Sequence, residues 1–122
     1  MLIDSNLIIY SVQPMYVSLR HWIIDNATHY SVINKVEVLG YPKLNKEGII
    51  AIENILQYLE MLLVSHVAAE IAVKLHQQRK TSLGDAFIAA TCLEHNLPLA
   101  TRNTKDFDWI EDLTVYNPFI KK

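Results

Sequence analysis

Residues 82–101 read SLGDAFIAATCLEHNLPLAT. From Ala86 to Leu93 the stretch is apolar on nearly every side, the pattern of a helix buried all round. Asn96 and Pro98 close it, and Leu97–Thr101 follows as a strand, with the proline at the start where a strand tolerates it. A buried helix feeding directly into a strand is the unit of an α/β fold. The helix nevertheless opens on a carboxylate, Asp85. Ser82 three residues earlier forms a capping-box pattern with it, and an acid in the first turn is favoured by the helix dipole. Whether Asp85 does more than cap depends on the rest of the chain.

The chain has 122 residues, enough for one domain over 1–122 with a single core. Hydrophobic residues make up 51% and charged residues 20%, an ordinary globular composition. With 3 glycines and 4 prolines, short loops are expected. Net charge is −2 and the pI about 6.2, which excludes a broad basic surface for non-specific DNA binding but not a local basic patch. The single cysteine, Cys92, lies inside the apolar helix and reads as a small core residue. No apolar run approaches the roughly 20 residues of a membrane span, and MLIDSN is not a secretory leader. The expectation is a cytoplasmic protein without a membrane partner.

Outward from the central stretch, strands and helices alternate. Leu2–Ile3 is a short apolar start before Asp4. Ser5 to Val12 is helical, with Leu7, Ile8 and Ser11 at helical spacing. A second helix follows Pro14, with Tyr16, Leu19, Ile23 and Ile24 on one side. Thr28 to Ile33 reads as a strand and Asn34 to Gly40 as a short helix. The segment from Asn45 is amphipathic through Ile49, Ile52, Leu56 and Leu59. Met61 to Val64 reads as a buried strand. Val67, Ile71 and Leu75 mark a helix on which Glu70 and Lys74 form an i, i+4 pair. Leu113 to Tyr116 is the last strand. This order predicts an α/β sandwich with a mostly parallel sheet.

In such a sheet, helix N-termini and strand C-termini collect along one edge, where ligands bind. Asp4 follows the first strand, Glu37 lies one turn beyond the second, Asp85 opens the buried helix, and Asp106 follows the Leu97–Thr101 strand. Each has a capping explanation: Asp4 as an N-cap, and Asn34 with Glu37, or Asn103 with Asp106, as weak capping boxes. Brought together, the same carboxylates would repel and raise one another's pKa, and a hard divalent cation, Mg²⁺ or Mn²⁺, is the usual resolution. Spacing alone leaves both accounts open.

Three segments carry a resemblance. MLIDSNLIIY (residues 1–10), SVINKVEVLGY (31–41) and LGDAFIAATCLEHNLPLATRNTKDF (83–107) resemble, in order and at the right spacings, the motifs of the PIN domain, and within it the VapC-like toxins of toxin–antitoxin systems. The resemblance implies a three-layer α/β/α sandwich around four to five strands. It implies a metal-dependent endoribonuclease leaving 5′-phosphate and 3′-hydroxyl ends, with Asp4, Glu37 and Asp85 as an acidic triad. Asp4 and Asp85 would be the main ligands of Mg²⁺ or Mn²⁺. The fourth acidic position falls to Asp106 or Asn103, with Asp106 preferred. Ser5 stands where a threonine is commoner. Ser5, Asn6, Thr101 and Asn103 are the expected substrate contacts. RNA, an antitoxin protein and a second copy of the chain are the implied partners.

Arg79, Lys80, Arg102 and Lys105 have two readings, as contacts to RNA phosphates or an acidic antitoxin segment, or as solvated helix ends. Tyr16 and Trp22 face either a partner or the core. The histidines show no metal-ligand spacing. Two rivals stand beside the nuclease. An aspartate-based phosphoryl-transfer protein is disfavoured because a dehalogenase-type site needs an acid where Asn6 stands. A catalytically silent binding module of the same fold is the more serious one.

Overall fold

Leu2 and Ile3 form β1, and their side chains point to opposite faces of the sheet. In a computed structural model describing residues 1–119, that alternation splits the core in two. Ile3 packs with Leu7, Ile8, Ile23, Val38, Ile52 and Ala100. Leu2 packs on the other side with Leu75, Ile88, Cys92, Leu99 and Phe107. The result is a three-layer α/β/α sandwich. Residues 120–122 of the expected domain lie outside the described part.

After β1 come α1 (Ser5–Ser11), a 3-10 turn (Pro14–Tyr16) and α2 (Val17–Asn26). Then follow β2 (His29–Ser31), α3 (Val32–Leu39), α4 (Lys46–Leu56) and β3 (Glu60–Leu62). A helical pair, α5 (His66–Gln78) and α6 (Leu83–His95), leads to β4 (Leu99–Ala100), a 3-10 turn (Thr104–Asp106) and β5 (Val115–Tyr116). The sheet is five-stranded in the order β3-β2-β1-β4-β5, and every pairing is parallel, so the mixed element allowed by the sequence is absent. No helix among the described residues is long and apolar enough to cross a membrane.

α6 is the buried helix anticipated from its composition: Ala86, Ile88, Ala89, Ala90, Thr91 and Cys92 are all inside. It runs antiparallel to α5, since Ser65 before α5 donates to Glu94 near the end of α6. Asn96 ends it in the left-handed region, φ 54°. Burial pushes the Cys92 thiol up to about 12, so it serves as an inert core group.

Several boundaries differ from the sequence expectation. Val32 and Ile33 belong to α3, because Ser31 caps that helix and ends the strand. The strand expected over Met61 to Val64 is β3 at Glu60–Leu62, an edge strand that pairs only with β2; Met61 is 37% exposed, and Leu63, just past its end, is 68% exposed. α4 stops at Leu56, although Leu59 beyond it is still buried. Ile24 and Val67 are exposed, since α2 buries Leu19 and Ile23 and α5 buries Ala68, Ala72 and Leu75. Glu70 approaches His66 at 3.6 Å in place of the expected ion pair with Lys74.

Ile88→Ala removes a fully buried side chain behind the sheet and is expected to cost roughly 2–5 kcal/mol, read as a lower urea midpoint at unchanged slope. Leu83→Ala, five residues earlier and largely exposed, should change stability by less than about 0.5 kcal/mol.

Candidate functional site

β1 ends at Ile3, and Asp4 turns the chain into α1. Its side chain is only 4% exposed. As N-cap it accepts the Ser5 N–H on Oδ1 at 2.8 Å, and the Thr101 hydroxyl donates to Oδ2 at 2.7 Å. Thr101, at the end of β4, is wholly buried, and its oxygen accepts the Asn103 N–H at 3.1 Å. Two neighbouring strands of the parallel sheet thus fix one carboxylate between them.

Glu37 arrives from α3. Its Oε1 accepts the Ser5 hydroxyl at 2.6 Å, and Ser5 Oγ accepts from Asn34 Nδ2 at 2.9 Å. The Ser31 N–H can only donate, and it does so to Asn34 Oδ1 at 2.8 Å, which fixes the orientation of the amide. With the amide donating to Ser5, the serine proton is left for Glu37. Asn34 is therefore a buried positioning residue between two helix starts.

Asp85 is the third residue of α6, its N–H donating to Ser82 Oγ at 3.1 Å. A Cβ on neighbouring Gly84 would stand 3.0 Å from Glu37 Oε2, so glycine at this point allows Glu37 to approach the helix start. Asp106, exposed on the 3-10 turn after β4, completes the group. Among the described residues the ion pairs join histidines to Glu60, Glu70 and Glu94, and none reaches these four acids.

The electrostatics follow. The Asp4 carboxyl is raised from 3.8 to about 6, first by burial, then by the charges of Asp85 and Glu37, against the hydrogen bonds from Thr101 and Ser5. Asp85 is raised by burial, then by Asp106 and more weakly by Glu37, with a hydrogen bond from Ser82 opposing. Among the described residues no three acids, histidines or cysteines stand close enough together to hold a metal ion between them. Instead, the acids are held within electrostatic reach of one another, each on its own element.

The structure thus brings Asp4, Glu37 and Asp85 to one edge. Of the two residues left open for the fourth place, Asp106 is the one whose charge reaches Asp85. Ser5 and Thr101 are buried and committed to Glu37 and Asp4, so they position the acids and are not surfaces for substrate. Asn6 and Asn103 are exposed. The two weak capping boxes do not form: α3 is capped by Ser31 with Asn34 as reciprocal partner, and Asn103 makes no side-chain cap. The Ser31–Asn34 spacing was the signal available for that box. Not every helix starts at this edge, because α5 begins beside the far end of α6.

Asp85 and Asp106 line a groove of about 520 Å³ together with Arg79, Lys80, Lys105 and Trp109. Arg102 lies elsewhere, stacked over Tyr10 and Phe119 at 5.0 and 4.5 Å. Tyr16 packs on those same two rings, and Trp22 stacks on Tyr116 at 5.5 Å, so both rings read as partner-facing or core have partners within the chain.

A family profile described as PIN domain matches residues 1–112. No curated protein matches the chain. Among solved structures, it is similar to a toxin–antitoxin complex from Klebsiella pneumoniae, with 30% identity over 93% of this chain and 94% of that one and a TM-score of 0.74. It is also similar to VapBC2 from Rickettsia felis bound to a DNA fragment from their promoter (23% identity, 95% and 96% covered, TM-score 0.75). FitAcB from Neisseria gonorrhoeae gives 23% identity, 98% and 99% coverage and a TM-score of 0.78. The last two likenesses are likenesses of fold.

The raised Asp4 carboxyl has a thermodynamic signature. Between pH 3.8 and about 6 the folded chain binds more protons at Asp4 than the unfolded chain does. That contribution to stability is fully present below pH 3.8 and is lost as pH rises through about 6. Asp4→Asn, whose oxygen still accepts the Ser5 N–H while its Nδ2 can only donate to a reversed Thr101 hydroxyl, should therefore be more stable than wild type at pH 8, by at most about 3 kcal/mol. The advantage should disappear at pH 3.5 in metal-free thermal melts.

Proposed function

The chain belongs to the PIN domain family, and on that footing we propose that it is a metal-dependent endoribonuclease, the VapC-like toxin of a toxin–antitoxin pair. The observation that carries the reading is the meeting of Asp4, Glu37 and Asp85 at one sheet edge with, among the described residues, no lysine or arginine paired to them.

The donor set fits Mg²⁺ or Mn²⁺. It is all oxygen, it carries more negative charge than the fold itself neutralises, and Asp4 pays for burial among like charges with a raised pKa. Asp4 and Asp85 would hold the ion, and Glu37 would hold a second ion or orient water. When bound, the ion supplies Lewis-acid activation of water and stabilises charge on a phosphodiester. The residues supply the rest. Thr101 and the Ser5 N–H keep Asp4 in one rotamer, the Asn34–Ser5 relay aims Glu37, and Asp106 marks the rim where RNA enters. The products would be 5′-phosphate and 3′-hydroxyl ends.

A protein antitoxin as partner is supported by the likeness to the Klebsiella pneumoniae toxin–antitoxin complex over nearly the whole chain. A homodimer and a cytoplasmic location belong to the same proposal through the family resemblance.

Asp85→Asn tests the reading, because asparagine is nearly isosteric and the cap is supplied by Ser82. Without metal the variant is expected to melt at or above the wild type at neutral pH, because a partly buried charge beside Asp106 and Glu37 is removed, and to lose both Mg²⁺- or Mn²⁺-dependent RNA cleavage and the stabilisation by metal seen in wild type. Equal metal-dependent cleavage by the two proteins would reduce Asp85 to a helix-start residue outside the site, and no metal-dependent cleavage by either would favour a silent binding module.

A further inference from the structure

The groove beside the acids is built for more than water. Lys80 and Lys105 are exposed on its walls and, among the described residues, form no ion pair, even though Asp85 and Asp106 line the same groove. Trp109 forms the far wall. Its indole N–H donates to the Asp106 carbonyl at 2.9 Å, which fixes the ring relative to the site. The ring is half-buried, packed against the core beneath, and the exposed Arg79 guanidinium lies 5.5 Å from its centroid. The other tryptophan shows the contrast: Trp22 is covered in parallel by Tyr116, interplanar angle 8°. Among the described residues, Trp109 has no ring stacked on it at the groove and meets the flexible Arg79 side chain instead.

We propose that this groove is a subsite for one unpaired nucleobase of single-stranded RNA, stacked against Trp109 and Arg79, with Lys80 and Lys105 meeting the flanking phosphates. The proposal deepens the ribonuclease reading and rests on it. A planar cation over an indole is a surface on which any base can stack, because every base has a π face. A base inside a duplex has both faces occupied and does not reach the ring. The subsite therefore selects for strandedness and tolerates sequence. An acidic protein segment would use the three cations but would have no need of the ring.

Trp22→Phe leaves Trp109 as the one tryptophan of the chain. Adding Asp85→Asn prevents cleavage, so RNA can be titrated with Mg²⁺ present. A short single-stranded oligoribonucleotide should quench Trp109 emission saturably, whereas the same sequence as a duplex and a poly-glutamate peptide should not. In anisotropy titrations, Trp109→Leu should weaken single-strand binding by about 5- to 150-fold, the worth of one base–aromatic stack. Trp109→Phe should recover most of it, which a purely structural tryptophan would not predict if both variants melt alike. Absence of quenching by single strands while the unmutated protein cuts RNA would overturn the subsite and leave the ribonuclease reading standing. Equal quenching by the duplex, or quenching by the peptide alone, would also overturn it. Quenching without metal-dependent cleavage by the unmutated protein would support the subsite and overturn the catalytic reading instead.

Discussion

Asp4 holds a carboxylate 4% exposed at the point where β1 becomes α1. An unpaired charge in such a place is costly, and the two hydrogen bonds it receives recover only part of the cost. Among the described residues no lysine or arginine forms an ion pair with it. The further groups that come near, Glu37 and Asp85, make matters worse. The surrounding architecture serves this arrangement. β4 lies beside β1 to deliver Thr101, α3 begins immediately after β2 so that Asn34 can reach Ser5, and α6 carries glycine where Glu37 must approach.

Much of this was legible in the residues. The alternation of strands and helices predicts a parallel sheet, and a parallel sheet predicts an acidic edge, because the elements that end and begin there carry Asp4, Glu37 and Asp85. The caps were legible too, and they do not compete with the site. Ser82 caps α6 by accepting the Asp85 backbone N–H, and the Asp85 carboxylate still lies within reach of the other acids' charges. Capping and site formation use different atoms of the same residue, so counting acids near helix starts could not separate them.

What was not legible depends on three-dimensional partners. Val32 and Ile33 have strand propensity, yet the cap at Ser31 ends β2 two residues before Ile33. Leu63 and Met61 read as buried because a parallel strand is normally covered on both faces, but β3 lies at the edge. Thr101 and Ser5 were read as substrate contacts because hydroxyls near acids suit that role. Only the fold shows that their hydroxyls are spent on Asp4 and Glu37. Trp109 carries no local signal at all: its meaning comes from Arg79, thirty positions away in the chain and 5.5 Å away in space.

The helix starts explain why the acidic edge is tolerable. Asp4 is an N-cap, Asp85 lies in the first turn of α6, and Glu37 packs over that same helix start, so each meets the positive end of a helix dipole. A dipole end amounts to about half an elementary charge, too little to neutralise a group of full charges, and Asp4 and Asp85 remain raised. The fold thus lowers the repulsion without removing it. Apolar residues at these positions would give a more stable sheet edge, and a protein that keeps the conflict has local chemistry at odds with its own stability. Such conflicts concentrate at functional sites. Here the conflict has a direction. It is relieved by whatever brings positive charge to the edge, so the same residues that destabilise the free chain make it responsive to a cation.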